Sequence, residues 1–495
     1  MRKFLIPFIL IGLSALSCTD LVERPEAEAT PENFFVNEKS VEPIIVRAYA
    51  PLRQYTWNYW NISEASSDEM QSIFHESYWW IPLDNHVFLP THELINNFWF
   101  ESYTAIKECN SALVVLVTIP DRIATKPKFV AEVRALRAFY YYLLLDMFGN
   151  VPIITEANNT NPALAQATRR EVFEFCEREL KAALPTLPET APTGRVTKGV
   201  ALALLNKLYL NAEIFSGTAR WADCIATADA VIQSGHYSLE PNYYDNFKLN
   251  NETSKEAIFL VQFSRTIDLG WPNQNFYMRS LHYNQMPASP WNGFATITEV
   301  YDAFNSDDVR RQAIWIGQQY SILQWPKASQ TGTPLNDRTG RPLIFTKTLG
   351  PQWGPENQGA RVVKYEPDLQ APGGQGENDY LIFRYSDVLL AKAEACLRVG
   401  RTAEALELVN QVRRRAFPTQ SGERKTLTLT DIYNERLFEF YWEGFRRQDM
   451  IRFGTFWDAY TNKKDTRAGR NTTILMPIPS AALAQNPNLK QNPGY

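Results

Sequence analysis

Residue types able to carry catalysis are present, but their spacing matches no catalytic frame. His92-Glu93 opens the pattern that seats zinc with two histidines four apart on a helix, yet position 96 is Asn. Gly374-Gln375-Gly376 begins a dinucleotide-type turn, but Asp379 stands where the third glycine belongs. Neither a G-x-S-x-G elbow nor a Gly-Lys-Ser/Thr loop occurs, and the 5 His fall at no metal-ligand spacing. Hydrolysis of a glycosidic bond needs only two carboxylates, so with 54 acidic residues a chance pair carries no information. These frames point to binding without a cofactor rather than to an enzyme. Charged residues on helical spacing read as scaffold. Glu435, Glu439 and Glu443 share one helix face beside Arg436, Arg446 and Arg447, and Arg134 and Arg137 share another with Tyr141. Such stripes suit ion pairing to neighbouring helices.

The N-terminus addresses the chain. Met1-Arg2-Lys3 is basic and residues 4–15 are largely apolar, a run too short to span a bilayer and of secretory-signal form. Ala15-Leu16-Ser17-Cys18 follows. Small residues before a cysteine resemble a bacterial lipobox, in which Cys18 would carry acyl chains; Ala15-x-Ser17 equally suits an ordinary signal peptidase that leaves a free thiol. Residues 1–17 are thus expected to be removed and residues 18–38, polar with Pro25 and Pro31, to form a tether. The remainder is globular in composition, 45% hydrophobic and 21% charged, with a net charge of −4 and no basic stripe for nucleic acid. Cys109, Cys176, Cys224 and Cys396 lie far apart in helix-like stretches and read as buried thiols. Export permits a disulfide, but spacing cannot pair them.

Positioning falls to helices. Val133, Leu136, Tyr140, Leu143 and Met147 recur near 3.5 residues, predicting a helix over 128–148 that Gly149-Asn150-Val151-Pro152 ends. A second helix is predicted over 170–184. Two stretches read as helix–turn–helix pairs, 198–215 with 221–233 and 386–399 with 403–415. Small residues at helical spacing (Ala201, Ala212, Ala228; Ala391, Ala395, Ala405) let paired helices approach closely, as in tetratricopeptide repeats. Any antiparallel helix pair would share that spacing. The fold class is mainly α: a tetratricopeptide-like helix-pair scaffold with a loop-rich, partly β elaboration. Helical parts are expected over 39–236 and 381–495, around a variable region over 237–380. That region is rich in Pro, Gly, Asn and aromatics, with a β-like run over 257–263.

Four ordered segments carry a family resemblance. The first is Ala131-Glu132-Val133-Arg134-Ala135-Leu136-Arg137-Ala138-Phe139-Tyr140-Tyr141, leading to Met147-Phe148-Gly149-Asn150-Val151-Pro152. The second is Asn378-Asp379-Tyr380 with Arg384-Tyr385-Ser386-Asp387 and Leu390-Ala391-Lys392-Ala393-Glu394-Ala395. The third joins Glu435-Arg436, Glu439, Glu443-Gly444-Phe445-Arg446 and Asp449-Met450-Ile451-Arg452. The fourth is Pro477-Ile478-Pro479 and the closing run from Asn486 to Tyr495. Together they resemble the SusD/RagB family of Bacteroidetes surface lipoproteins. The resemblance implies a lipid-anchored protein on the outer face of the outer membrane. It would sit as a lid on a SusC-like TonB-dependent transporter and capture oligosaccharide for import. A peptide-capturing lid, or a helical-repeat scaffold that binds only protein, would share the architecture.

Sugar capture needs flat apolar platforms, because one face of a pyranose is C–H bonds while its hydroxyls need directed partners; Trp and Tyr supply both. Ser66-Ser67-Asp68-Glu69 resembles the family's acidic motif, after which some members carry a ligand-facing loop. Here that loop holds Tyr78-Trp79-Trp80, then Asp84 and Asn85. Three adjacent aromatics cannot all point inward, so Tyr78, Trp79 and Trp80 are expected as ligand contacts with Trp79 or Trp80 as a platform, and Asp84 and Asn85 as their polar partners. The variable region offers Trp271, Tyr283 and Trp291, the last inside a segment, Ser289-Pro290-Trp291-Asn292-Gly293-Phe294, that resembles a recurrent family stretch. Trp57-Asn58-Tyr59-Trp60, Trp442 and Trp457 read as core.

Overall fold

The helical periodicities are realised as stacked antiparallel pairs. The computed structural model describes residues 31–73, 79–157, 163–265, 276–350, 354–374, 376–417, 422–466 and 474–495. Cys18, Tyr78 and Trp271 lie outside the described residues. Lys126–Met147 packs between Glu93–Thr118 and Arg169–Ala183. Its predicted face is buried, and so are Phe139, Tyr141 and Leu144 on other sides, because neighbours cover it from both flanks. Lys198–Leu210 pairs with Trp221–Gln233, and Tyr385–Arg398 pairs with Thr402–Ala416. Trp221–Gln233 then packs on Tyr385–Arg398, so the two pairs join across the whole variable region.

Local chemistry sets the boundaries. Thr168 and Glu171 form a reciprocal capping box at the start of Arg169–Ala183. Gly149 takes φ +72°, and a Cβ there would stand 2.8 Å from Leu475 Cδ1, so glycine alone fits that turn. The helix expected over 198–215 breaks at Asn211, and Ala212–Ser216 follows as a separate turn. Asn211 bonds its own side-chain amide to the Lys207 carbonyl at 3.0 Å, a local alternative to the helix ladder. Residues expected at the far end of a tether belong to the body: Pro31–Phe34 is helical and Phe35 is 6% exposed in the core. All four described cysteines are free and buried.

The variable region is rooted by one strand pair. Ala257–Val261 runs antiparallel to Tyr380–Arg384, so the excursion between them leaves and returns at one place. Beneath that pair lies a buried network of five cations and five carboxylates. Arg384 meets Glu443 at 2.7 Å, Glu439 at 2.7 Å and Glu256 at 3.2 Å. Arg310 meets Asp308, Glu435 and Glu439 at 2.7, 2.8 and 3.0 Å, and Lys364 meets Glu443 at 2.5 Å. Arg413 and Arg415 complete it through Glu435, Glu256 and Glu439. Burial works to raise the Glu439 carboxyl, but Arg415, Arg384 and Arg310 outweigh it and hold it far below the usual carboxylate range. The stripe read from spacing is therefore the joint between the C-terminal part and the excursion, but only Glu435 and Glu439 lie on the helix Leu429–Phe440; Glu443 reaches the network from the turn that follows it.

Candidate functional site

Two aromatic clusters far apart in sequence meet at a short sheet. Gln71 and Ser72 pair antiparallel with Ala295 and Phe294, and the Ile73 amide donates to the Gly293 carbonyl at 2.8 Å. This puts the segment leading to Trp79 beside Trp291. The contact is direct, with the Trp80 ring meeting Phe294 edge-on at 4.9 Å between centroids. A second run holds the Trp291 side: the amides of Trp291, Asn292 and Gly293 donate to the carbonyls of Met278, Leu281 and Arg279 at 2.7–2.9 Å. Tyr283 is thereby carried to the same neighbourhood.

Each element of this face is pinned from below. Asp68 accepts two bonds from Arg446 at 2.6 and 2.8 Å, and Glu69 accepts the Trp442 amide at 2.9 Å. The acidic motif therefore clamps the loop base to the C-terminal part. Arg279 and Arg361, both at most 1% exposed, lie under the other side. Arg279 donates to Asn61 at 2.6 Å and stacks over Trp60 at 4.5 Å, while Arg361 donates to the carbonyls of Ser280 and Phe294 at 3.2 and 3.4 Å. Burial pushes both guanidinium groups down to about 9.

The candidate residues divide. Trp79 is half-buried; its ring packs on the core and its carbonyl meets His92 Nε2 at 2.7 Å. Trp291 is half-buried on a smaller core that includes Met278, Trp315 and Phe345. Its segment bends through Ser289 and Asn292, non-glycine residues at φ +50° and +51°. Tyr283 is half-buried, with the Arg338 guanidinium over its ring at 4.0 Å. Two expectations are corrected. Trp80 is 7% exposed and Asp84 1%, so neither presents a surface to ligand. Trp80 fills space against Phe294, and Asp84 accepts the Ser72 amide at 3.1 Å, fixing the strand turn. Asn85 caps the short helix Trp80–Asp84 and stays half-buried.

Sequence reasoning missed the polar rim. His282 Nε2 lies 3.0 Å from Glu356, and Glu356 also holds Arg338 over Tyr283. Burial lowers the His282 imidazole, so it is neutral at pH 7. At Glu356 burial works upward, but bonds from Arg338 and His282 prevail and keep it an anion. Asn292 donates to the Glu356 carbonyl at 3.0 Å, tying this rim to the Trp291 turn. No signal in the sequence joins positions 282, 338 and 356, since loop residues carry no periodicity. Among the described residues, no three His, Cys, Asp or Glu converge as metal ligands.

A helical-repeat scaffold bearing a loop-built aromatic face defines the class. Residues 221–495 match the model of the SusD family, and residues 21–210 match a model described as "Starch-binding associating with outer membrane". The chain belongs to the SusD family. It is 27% identical to the starch-binding protein SusD of Bacteroides thetaiotaomicron, over 74% of this chain and 72% of that protein. It is 24% identical to the SusD-like protein P2 of Formosa agariphila, over 100% of both. Its fold matches a laminarin-binding SusD-like protein with a TM-score of 0.75 at 26% identity, covering 93% of this chain and 100% of that one. No described helix is long and apolar enough to cross a membrane.

Proposed function

We propose that the chain is a cell-surface glycan-binding protein that captures oligosaccharide on the face formed by Trp79, Trp291 and Tyr283. Tyr78 and Trp271, outside the described residues, are proposed as further ligand contacts. The pairing of residues 71–73 with 293–295 carries this reading, because it gathers separate aromatics above a pinned polar rim. Aromatic rings would take the C–H faces of successive sugars, and Arg338 and the Glu356 carboxylate would meet hydroxyls. The starch and laminarin named for two relatives support a glucan as the first ligand to try. Acylation of Cys18 would hold the chain on the outer membrane, where it would hand oligosaccharide to a SusC-like TonB-dependent transporter. Calorimetry against laminarin, starch and other plant, host and microbial oligosaccharides tests the capture step. Trp291→Ala should weaken binding of the recognised glycan by about tenfold or more, since loss of one stacked aromatic costs about 1–3 kcal/mol on related platforms. A full panel without binding, or unchanged affinity in Trp79→Ala/Trp291→Ala, would refute the assignment. Co-purification of a large outer-membrane barrel with the tagged chain tests the transporter step.

A further inference from the structure

A cleft of about 380 Å³ opens between the Glu93–Thr118 helix and the closing segment of the chain. Its volume falls in the range of small-molecule sites. One wall is aromatic, built by Trp99, Phe100 and Tyr103; the facing wall is aliphatic, with Ile154, Leu164 and Leu489. The aromatic wall is rigid: Trp99 sits 5.1 Å from Tyr103 and 4.9 Å from Phe148 between ring centroids. Amides that hold the walls are already spent. Asn110 donates to the Ile154 carbonyl at 3.1 Å and accepts from Arg137 at 2.8 Å, and Asn486 donates to the Leu164 carbonyl at 2.8 Å.

Several donors at this cleft have no such employment. The Trp99 indole N–H is bonded to no described residue and is not among the buried polar atoms left without a partner, so it stays open to solvent although the residue is 4% exposed. The exposed Lys107 ammonium lines the same cleft and forms no ion pair among those residues, and the Ser111 hydroxyl beside it is likewise uncommitted. Among the described residues, no carboxylate lines the cleft. The site thus offers a narrow slot with apolar walls and an excess of donors, one of them cationic.

We infer that this cleft binds a small planar aromatic carboxylate. The ring lies between the Trp99–Tyr103 wall and the aliphatic wall, and the carboxylate meets Lys107, with Ser111 and the Trp99 N–H as further donors. The inference stands apart from glycan capture, because its residues come from the helix Glu93–Thr118, the connection between residues 148 and 168 and the closing segment. Calorimetry of the full-length mature chain with 4-hydroxycinnamate and its methyl ester tests it. The acid should bind with a Kd of about 1 mM or tighter, a value within reach of a ligand of this size. Lys107→Met should weaken the acid about tenfold and leave the ester unchanged, because only the charge-assisted contact is lost. Leu489→Trp, which fills the slot, should abolish binding of both while laminarin or starch binding, whichever the chain shows, stays as it was. Absence of acid binding, equal affinity for acid and ester, or undiminished binding in Leu489→Trp would each overturn the inference. Should Leu489→Trp fail to fold, the selective effect of Lys107→Met decides alone, since that side chain is exposed and removable.

Discussion

Replacing Glu439 by Gln tests whether the buried charge network holds the excursion on the scaffold. Glu439 accepts bonds from Arg310 at 3.0 Å, from Arg384 at 2.7 Å and from Arg415. The five cations and five carboxylates of the network balance, and none of these side chains is more than 11% exposed. Glutamine keeps the shape but leaves one uncompensated guanidinium charge away from water. Breaking a buried pair from one side costs about 3–5 kcal/mol, against a whole-domain stability of about 5–15 kcal/mol. Urea unfolding should therefore show the midpoint fall steeply at unchanged slope. Glu407→Gln is the control: its partnership with Arg414 is solvent-exposed, at 53% and 44%, and should cost no more than about 1 kcal/mol. The pH dependence has a definite sign. A carboxyl held below its ordinary value contributes stability that is present above about pH 4.5 and lost as pH falls further. The wild-type chain should lose stability in that acid window, and Glu439→Gln should lose less. A Glu439→Gln chain as stable as Glu407→Gln would show that the network does no more than fill space.

Other perturbations probe separate parts of the fold. Asp379, whose Oδ1 accepts the Phe263 amide at 3.0 Å, is pushed up by burial to about 7 from 3.8. Its contribution is full below about pH 4 and lost as pH rises through 7, by at most about 4 kcal/mol, so thermal scans of Asp379→Asn should be flatter over that window. Gly149→Ala should lower stability by about 1–2 kcal/mol in urea unfolding, because φ is +72° and Leu475 must shift. Arg338→Ala should uncover the Tyr283 ring and change glycan affinity without changing the unfolding midpoint by more than about 0.5 kcal/mol, since Arg338 is 56% exposed. Cys18→Ser should move the chain from the membrane to the soluble fraction, and retention on the membrane would place the anchor elsewhere.

Much of the scaffold was legible because helices leave a periodic trace. The apolar spacing from Val133 to Met147 and the Gly149 stop correspond to Lys126–Met147 within two residues at either end. The Glu435–Glu443 spacing also announced an ion-paired face, although not the identity of its partners Arg310, Lys364 and Arg384, which come from other parts of the chain. The site was legible only as ingredients. Trp79 and Trp80 are adjacent and chemically alike, and whether one or the other is buried depends on Phe294, more than two hundred positions away. A pairing of two residues with two residues, Gln71 and Ser72 with Ala295 and Phe294, has no period to detect.

The same contrast explains how a face built on loops can be precise. Its aromatics sit on loops, where side chains are exchanged with little effect on the core. Both loop bases end in buried charge or backbone pairing: Asp68 and Glu69 on Arg446 and Trp442, and the 278–281 segment on residues 291–293. The return strand Tyr380–Arg384 delivers Arg384 into the Glu439–Glu443 site, so the excursion cannot shift without separating buried opposite charges. The residues proposed to meet ligand are thereby held by elements outside the proposed face. Changing Trp291 should alter what is bound, whereas changing Glu439 should alter whether there is a folded face to bind it.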